Sequence, residues 1–404
     1  MNKKFWLSKN DILEKCENKK IIFWGSGAWV EKTINSLDLQ PDFIVDNNKN
    51  IQGHKQRGIE IIGYNDIENI QDYYVIITTG SYKSLLKDLE NKNLIPGENF
   101  SCSPVLSNLK IRDEMLSVEK NILFSVPVPA SDGGGLYVYN TNSRSYDRVY
   151  EGKSRALCKS KNYIVLVDEA NGLILFDKNL NILNEIELLN NSVPHGVAIS
   201  EKLNLVFVAN SGRDSVSVFD LKTSTHVEEI HISNKYARLH EEQHHINDLY
   251  IDEDTEALFV SMFSFTGNWR KNIYDGGVLE YDLTSKKFTG SLIENMWMPH
   301  SIQVIDKNMV LLDSMRGDLY RTSNTVIGKF QGFVRGLDYD NQFFYIAQSA
   351  HRYFDRLEEV SLNIPLNCGI HIFDEKTKAS VFHSLPDIEN IHSVIVLEER
   401  DNDE

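Results

Sequence analysis

The sequence predicts an α/β Rossmann-like N-terminal domain followed by an all-β six-bladed β-propeller, which the C-terminal strand closes. Three observations predict this. Short apolar strands alternate with helical stretches in the first hundred residues, a three-residue phrase recurs six times after residue 150, and its last copy lies at the C-terminus with no room for another blade. The predicted divisions are a Rossmann-like domain at 1–112, a propeller at 118–398 and an acidic tail at 399–404.

Composition and charge exclude several classes of protein. The 404 residues contain 42 Lys and Arg against 58 Asp and Glu, a net charge of −16. Such a chain lacks the basic surface that binding to nucleic acid or an anionic membrane requires. Four scattered cysteines form no CxxC pair, and no apolar run approaches the 18 residues of a membrane span. We therefore expect a cytoplasmic protein with reduced thiols, no nucleic-acid partner and no membrane span.

The N-terminal elements follow from alternating apolar and helical patterns. KKIIFW reads as a buried strand, and DFIVDNN and DYYVIITTG as the next two strands. The stretch SYKSLLKDL carries apolar residues at helical spacing. Strands that alternate with helices predict a parallel sheet.

A glycine turn follows the first strand, where a Rossmann phosphate loop would lie. Gly25 and Gly27 would let the backbone approach a phosphate, and Asp46 ends the next strand, about 20 residues later. The third glycine of the fingerprint is missing, because position 30 is Val. The turn therefore predicts either a nucleotide site or a strand–helix connection that binds nothing.

The segments FWGSGAW, FIVDNN and VIITTGSYKSLLKDL resemble a known bacterial module. It is the Rossmann-like domain at the N-terminus of sugar acetyltransferases that act on nucleotide-sugars. The resemblance covers Lys20 to about Phe100. It implies that Gly25, Gly27 and Asp46 line a site for a nucleotide or nucleotide-sugar, and that the protein takes part in surface-polysaccharide synthesis.

The repeated phrase consists of a polar or cationic residue, a small or polar residue, and an aliphatic residue that starts a strand. Successive copies lie roughly 35–57 residues apart, which brackets the repeat length of a four-stranded blade. The C-terminal copy would supply the missing first strand of blade one and close the ring. The first residues of the six copies, called ring residues below, are Arg155, His195, Asn247, His300, Arg335 and His392.

Three of the ring residues are histidines that fall on alternate blades. The innermost strands of a propeller begin around one mouth, so His195, His300 and His392 should converge there. Three neutral imidazoles with an open position match a catalytic divalent metal, with Zn²⁺ as the first choice. The alternative is that these histidines are hydrogen-bonded structural anchors between blades.

The other ring residues suggest how a substrate would be held. Arg155 and Arg335 would clamp an anionic group, and Asn247 would orient it. Asp248 or Asp313 would act as the general base. The HHIND motif, which ends at Asp248, would direct one of its two histidines, His244 and His245, to the channel and the other outward.

Several motifs in fixed order resemble a bacterial propeller family known as a domain of unknown function, and this family brings no settled activity. They are HGVA, HHIND, GNWR, MPHS, LLDSMRGDLY, FVRGL and NCGIHIFD, between about Asn121 and Glu398. The inferred three-histidine arrangement is also similar to that of peptidyl-amidoglycolate lyases, which use zinc on a six-bladed propeller.

Together these features predict an enzyme of bacterial surface glycan or nucleotide-sugar metabolism. It would carry out metal-assisted lyase, isomerase or hydrolase chemistry on an anionic carbohydrate at the propeller mouth. Its partners would be a small-molecule or glycan substrate. The alternatives are a non-catalytic propeller that binds glycan or protein, and an NAD(P)-dependent oxidoreductase.

Overall fold

The chain divides into two units, Met1–Leu116 and Ser117–Glu404. The computed structural model describes residues 4–322, 325–351, 353–354 and 363–398. The predicted acidic tail at 399–404 lies outside the described residues. None of the helices in the described ranges is long and apolar enough to span a membrane.

The first unit is built on a six-stranded sheet in the order β3-β4-β2-β1-β5-β6. Its strands are β1 (Lys20–Trp24), β2 (Phe43–Val45), β3 (Lys55–Gln56), β4 (Ile59–Ile62), β5 (Tyr73–Ile77) and β6 (Phe100–Cys102). Its helices are α1 (Lys9–Cys16), α2 (Trp29–Leu37), α3 (Tyr82–Glu90) and α4 (Ser107–Leu116). The inner strand β1 is buried along four of its five residues, so it forms the centre of this unit's core.

The prediction of a Rossmann-like α/β domain is wrong. The sheet is mixed, because β3 runs antiparallel to β4, and α1 to α4 are only eight to ten residues long. The strand–helix alternation breaks after β2, since residues 47–58 contain one large apolar residue, Ile51, and cannot form an amphipathic crossover helix. Gly53 and Gly58, both at φ +82°, instead turn the chain into the β3–β4 hairpin.

The second unit consists of six four-stranded antiparallel sheets, which confirms the predicted six-bladed propeller. Blade one contains β7 (Asn121–Val126), β8 (Gly135–Asn140), β9 (Ser145–Glu151) and β30 (Val394–Val396). Blade two contains β10 (Ser154–Lys159), β11 (Ile164–Asp168), β12 (Gly172–Phe176) and β13 (Ile182–Ile186). Blade three contains β14 (Pro194–Ser200), β15 (Leu205–Asn210), β16 (Ser215–Asp220) and β17 (His226–His231).

The remaining three blades repeat the same order. Blade four contains β18 (Ile246–Asp252), β19 (Ala257–Met262), β20 (Gly276–Asp282) and β21 (Lys287–Met296), and the short helix α5 (Lys235–Leu239) precedes it. Blade five contains β22 (Pro299–Ile305), β23 (Asn308–Asp313), β24 (Asp318–Arg321) and β25 (Thr325–Lys329). Blade six contains β26 (Phe333–Tyr339), β27 (Phe344–Ser349), β28 (Gly369–Phe373) and β29 (Ser380–Ser384).

The C-terminal strand closes the ring as predicted. β30 is the innermost strand of blade one and pairs with β7, with Val394 opposite Phe124 and Val396 opposite Ile122. This pairing joins the last strand of the chain to the first strand of the propeller. It covers the inner sheet edge that β7 would otherwise expose.

A break in strand register recurs where the innermost strands of blades two to six begin. The pairing between the first and second strands shifts between Ser154 and Leu157 in blade two, and the same shift occurs at the equivalent place in the next four blades. A β-bulge releases a residue from the regular ladder and re-aims its side chain. The bulges therefore let the starts of these strands carry side chains toward the propeller axis.

Candidate functional site

The starts of the innermost strands bring the three predicted imidazoles together. The ring centroid of His392 lies 6.1 Å from that of His195 and 6.3 Å from that of His300. Imidazoles that share one Zn²⁺ at about 2.0–2.1 Å have centroids roughly 5 Å apart. The three rings are therefore close but wider apart than ligands, and as placed no three His, Cys, Asp or Glu side chains of the described residues could hold a metal ion.

Backbone carbonyls fix the tautomers of two of these histidines. The Nδ1–H of His195 donates to the carbonyl oxygen of Val193 at 2.9 Å. The Nδ1–H of His300 donates to the carbonyl oxygen of Met298 at 2.8 Å and also lies 2.7 Å from the Ser314 hydroxyl. Each imidazole is therefore left with an Nε2 lone pair, which is how metal-binding histidines are commonly oriented.

Two other ring residues supply hydrogen-bond donors to these lone pairs. Nη1 of Arg155 lies 3.2 Å from Nε2 of His195. Nδ2 of Asn247 lies 2.8 Å from Nε2 of His300. Both donors would have to give up these bonds before a metal could bind.

Several buried polar atoms around the site have no hydrogen-bond partner in the described part of the chain. They include both ring nitrogens of His392 and Oδ1 of Asn247. Nε1 of Trp269 and Nε2 of His351 also have no hydrogen-bond partner there. Because buried polar atoms are nearly always hydrogen-bonded to protein, water or a ligand, each of these atoms needs such a partner.

Burial keeps the three imidazoles neutral at pH 7. It is the largest cause that holds the pKa values of His195, His300 and His392 well below the ordinary 6.5. The positive charges of Arg155 and Arg335 lower the pKa of His392 further. A neutral imidazole is the form that can donate a lone pair to a metal.

This burial predicts a loss of stability in mild acid. His392 takes up a proton near pH 6.5 in the unfolded chain but resists it in the folded one, so its contribution weakens as the pH falls below 6.5. Between pH 7.5 and 5.5 we expect the wild type to lose about 1.4 kcal/mol more free energy of unfolding than His392→Gln. Urea unfolding of the metal-free proteins at both pH values measures this difference.

The matched control for this experiment is His231→Gln, an exposed histidine on β17. This variant measures what the loss of an exposed imidazole does by itself. If His392→Gln keeps the pH dependence of the wild type, His392 does not resist protonation in the folded protein.

His245 is a fourth imidazole at the site that the predicted metal ligands did not include. Its ring centroid lies 4.8 Å from that of His195, and its Nδ1 forms a short hydrogen bond with a carboxylate oxygen of Glu242. His244 instead lies between the Ser233 hydroxyl at 2.7 Å and the Ser264 carbonyl at 2.9 Å. The signal in the sequence was the HHIND motif, whose second histidine lies two residues before Asn247.

The two arginines that were predicted to clamp an anionic group lie at the site and have different partners. Arg155 donates from Nε to Glu169 at 2.7 Å, and its Nη2 lies 2.5 Å from the same carboxylate. Arg335 is buried, lies over the Phe333 ring, and donates to the Ser349 hydroxyl at 3.3 Å. Glu169 therefore balances the charge of Arg155 at the edge of the site.

The two predicted general bases differ in what they contact. The carboxylate of Asp313 accepts hydrogen bonds from the Trp297 backbone at 3.0 Å and from Nη1 of Arg316 at 3.1 Å, so it stabilises a turn. Asp248 accepts from the Leu249 backbone at 2.9 Å and lines a cavity on the axis. Burial raises the pKa of each carboxyl to about 6.

That cavity has a volume of about 830 Å³, within the range of small-molecule sites. None of the ring residues lines it. Its walls run along the innermost strands from residues just beyond the ring residues, such as Val197, Leu249 and Ser301, to strand ends such as Asp252 and Ile305. The cavity therefore extends along the propeller axis from below the ring residues toward the far ends of the innermost strands.

A family model described as "Domain of unknown function (DUF4915)" matches residues 194–403, just over half of the chain. The chain belongs to this family. The DUF4915 match contains all four imidazoles of the site, Asn247 and Arg335, whereas Arg155 precedes it. A second model, "C2185-like, N-terminal", matches residues 17–96. No curated protein matches the chain.

Solved structures similar to this DUF4915 member include a chain of a nidogen/laminin complex, with 9% identity and a TM-score of 0.50. The match covers 69% of this chain and 98% of the other. A protein of unknown function from Bacteroides caccae has 12% identity and a TM-score of 0.48, and the match covers 70% and 100% of the two chains. The nidogen/laminin match, at 9% identity, shows a likeness of fold alone.

Of the predicted nucleotide-binding residues, Gly25 and Gly27 lie in the turn between β1 and α2, and Asp46 follows β2 and contacts that turn. The carboxylate of Asp46 accepts from the Ser26 backbone at 3.0 Å, the Ser26 hydroxyl at 2.6 Å and the Asn48 backbone at 2.8 Å. Gly25 has φ +109°, and a Cβ there would lie 2.7 Å from Cβ of Thr79. Gly27 has open space around it. Asp46 and Gly25 thus shape the turn itself, and ligand binding by these residues stays a prediction.

Proposed function

We propose that this protein is an enzyme that binds a divalent metal between His195, His300 and His392 and acts there on an anionic carbohydrate. The observation that carries the proposal is His392, a buried imidazole with both nitrogens unpartnered among the described residues. It lies beside two imidazoles whose Nδ1–H groups are already held by carbonyls. A divalent cation would satisfy a nitrogen of His392 and take the Nε2 atoms of His195 and His300 in place of the donors that they now accept from.

The residues around this centre support catalysis as well as binding. When bound, a divalent metal polarises a carbonyl or lowers the pKa of a bound water to about 7. Arg155 and Asn247, once their donors leave His195 and His300, can hydrogen-bond a substrate instead. Asp248, whose pKa lies near 6 and which lines the adjoining cavity, is the better placed general base. Asp313 is occupied by Trp297 and Arg316.

Two features support an anionic carbohydrate as the substrate. Arg155 and Arg335 bring two guanidinium groups to the site, which suit a carboxylate or phosphate. The sugar follows from the likeness of the N-terminal segments to modules of nucleotide-sugar enzymes, which also suggests that Gly25 and Gly27 bind a nucleotide or nucleotide-sugar. The four cysteines, Cys16, Cys102, Cys158 and Cys368, are free, which supports a reducing cytoplasmic compartment.

Metal analysis of the protein tests this proposal. Protein purified without chelators should contain close to one divalent metal per chain by elemental analysis. Removal of the metal should lower the melting temperature, and re-addition of Zn²⁺, Co²⁺ or Ni²⁺ should restore it, because a ligand of the native state alone stabilises it. A chain that holds no metal and gains no stability from any of these ions would contradict the proposal.

A further inference from the structure

We propose that Asn247 selects the substrate by accepting a hydrogen bond from one of its hydroxyl groups, which binds on the propeller axis between Asn247 and His392. This assignment rests on the proposed function, since it takes the mouth of the propeller as the site of an anionic carbohydrate. It does not require a metal. The ligand class that it names is a hydroxy acid, in which a hydroxyl group lies close to a carboxylate.

A chain of hydrogen bonds fixes the orientation of the Asn247 amide. The Met298 carbonyl can only accept, so its 2.8 Å contact places a hydrogen on Nδ1 of His300. Nε2 of His300 is then a lone pair, and the Asn247 atom that lies 2.8 Å from it must be the donor Nδ2. The other end of the amide, Oδ1, is therefore left as an acceptor.

This oxygen is the unsatisfied end of the chain. Asn247 is only 1% exposed, and its Oδ1 has no hydrogen-bond partner in the described part of the chain. An acceptor needs a donor, and it repels the oxygens of a carboxylate or phosphate. The group that completes Asn247 is therefore not the anionic end of the substrate, which is the role that the sequence suggested for this residue.

His392 faces Asn247 from the opposite side of the axis. It precedes β30 of blade one, which lies opposite blade four in a ring of six blades. Its ring nevertheless lies 6.1 Å from that of His195 and 6.3 Å from that of His300, on the two blades that flank blade four. A neutral imidazole offers one N–H and one lone pair, and neither nitrogen of His392 has a partner among the described residues.

A hydroxyl group can satisfy both residues. It has one hydrogen to donate to Oδ1 of Asn247, and its oxygen can accept from the N–H of His392. An ammonium group could donate to Asn247 but could not accept from His392. Water has the same capacity as a hydroxyl group, so a bound water is the alternative that the experiment must exclude.

Two guanidinium groups place the anionic part of the ligand near this hydroxyl. The positive charges of Arg335 and Arg155 lie close enough to His392 to lower its pKa. Nη1 of Arg155 also lies 3.2 Å from Nε2 of His195, whose ring is next to that of His392. A ligand that reaches the axis with a hydroxyl and Arg155 with a carboxylate must carry the two groups close together, as a sugar acid does.

The binding of lactate and propionate to the full-length chain tests the assignment. These anions differ by one hydroxyl group, and Arg155 would attract both. We expect the wild type, dialysed free of metal and chelator, to bind lactate roughly tenfold or more tightly than propionate by ligand-observed NMR, because a site built for a hydroxyl disfavours the analogue without it. Asn247→Ala should lower this ratio to about one. Asn234→Ala changes an exposed asparagine whose side chain caps no helix, and this matched control should keep the wild-type ratio.

The outcomes separate this assignment from the proposed metal centre. A wild-type ratio near one, no binding of either anion, or an unchanged ratio in Asn247→Ala overturns the assignment. If Asn247→Ala fails to fold, as judged by circular dichroism, a crystal structure of the wild type with lactate decides: the lactate hydroxyl within hydrogen-bond distance of Oδ1 supports the assignment, and water alone there overturns it. A chain that gains no stability from Zn²⁺ but prefers lactate refutes the metal centre and keeps this assignment.

Discussion

His300→Ala should lower the affinity of the propeller for a divalent metal at least 100-fold and leave its six blades folded. Loss of an outer-shell partner costs about 10–100-fold in metal affinity, and loss of a ligand should cost more. His300 is buried, and its Nδ1–H is held by the Met298 carbonyl, so its Nε2 is the nitrogen left for a metal. Metal content after dialysis and isothermal titration with Zn²⁺ measure the change.

A second substitution distinguishes a ligand from the group that orients it. Ser314 lies 2.7 Å from Nδ1 of His300, on the side of the ring away from the lone pair. Ser314→Ala should therefore weaken metal binding by only about 10–100-fold. His231→Ala, an exposed histidine on β17, is the control for the loss of an imidazole. Metal binding by His300→Ala that equals the wild type would contradict the proposed centre.

The propeller and its histidines could be predicted because a repeat carries them. Each ring residue lies within two residues of the start of an innermost strand, so six copies of one phrase place these residues around one axis whatever the lengths of the loops between them. The closure of the ring by β30 could be predicted from the same repeats, because too few residues follow the last copy of the phrase to form another blade. The repeat shows which residues, far apart along the chain, become neighbours in space. A single strand carries no such information.

Features that depend on one pair of side chains could not be predicted in this way. Arg155 forms an ion pair with Glu169, and His245 forms a hydrogen bond with Glu242. The repeat does not relate the two members of either pair to each other. Asp313 fitted the pattern by position, yet its oxygens are used by Trp297 and Arg316. In the first unit, the strand–helix alternation did not predict the β3–β4 hairpin, which forms where two glycines turn a polar stretch.

Removal of the closing strand should have the largest effect on stability. A chain that ends at Asn390 loses β30, together with the buried side chains of Ile391, Val394, Ile395 and Val396. Each buried aliphatic side chain contributes about 1.5–3 kcal/mol, so the four contribute about 6–12 kcal/mol. Since a whole domain is stable by only about 5–15 kcal/mol, we expect the truncated propeller not to fold.

The same truncation exposes the inner edge of β7, whose residues Ile122, Leu123 and Phe124 lose their partners on β30. An unpaired apolar strand edge promotes aggregation, so the truncated protein should also be found in the insoluble fraction. A chain that ends at Glu398 keeps β30 and is the matched control. A synthetic peptide of residues 391–398 should restore the soluble propeller when it is added during refolding. A chain ending at Asn390 that melts cooperatively at the wild-type temperature would show that the ring is stable without its closing strand.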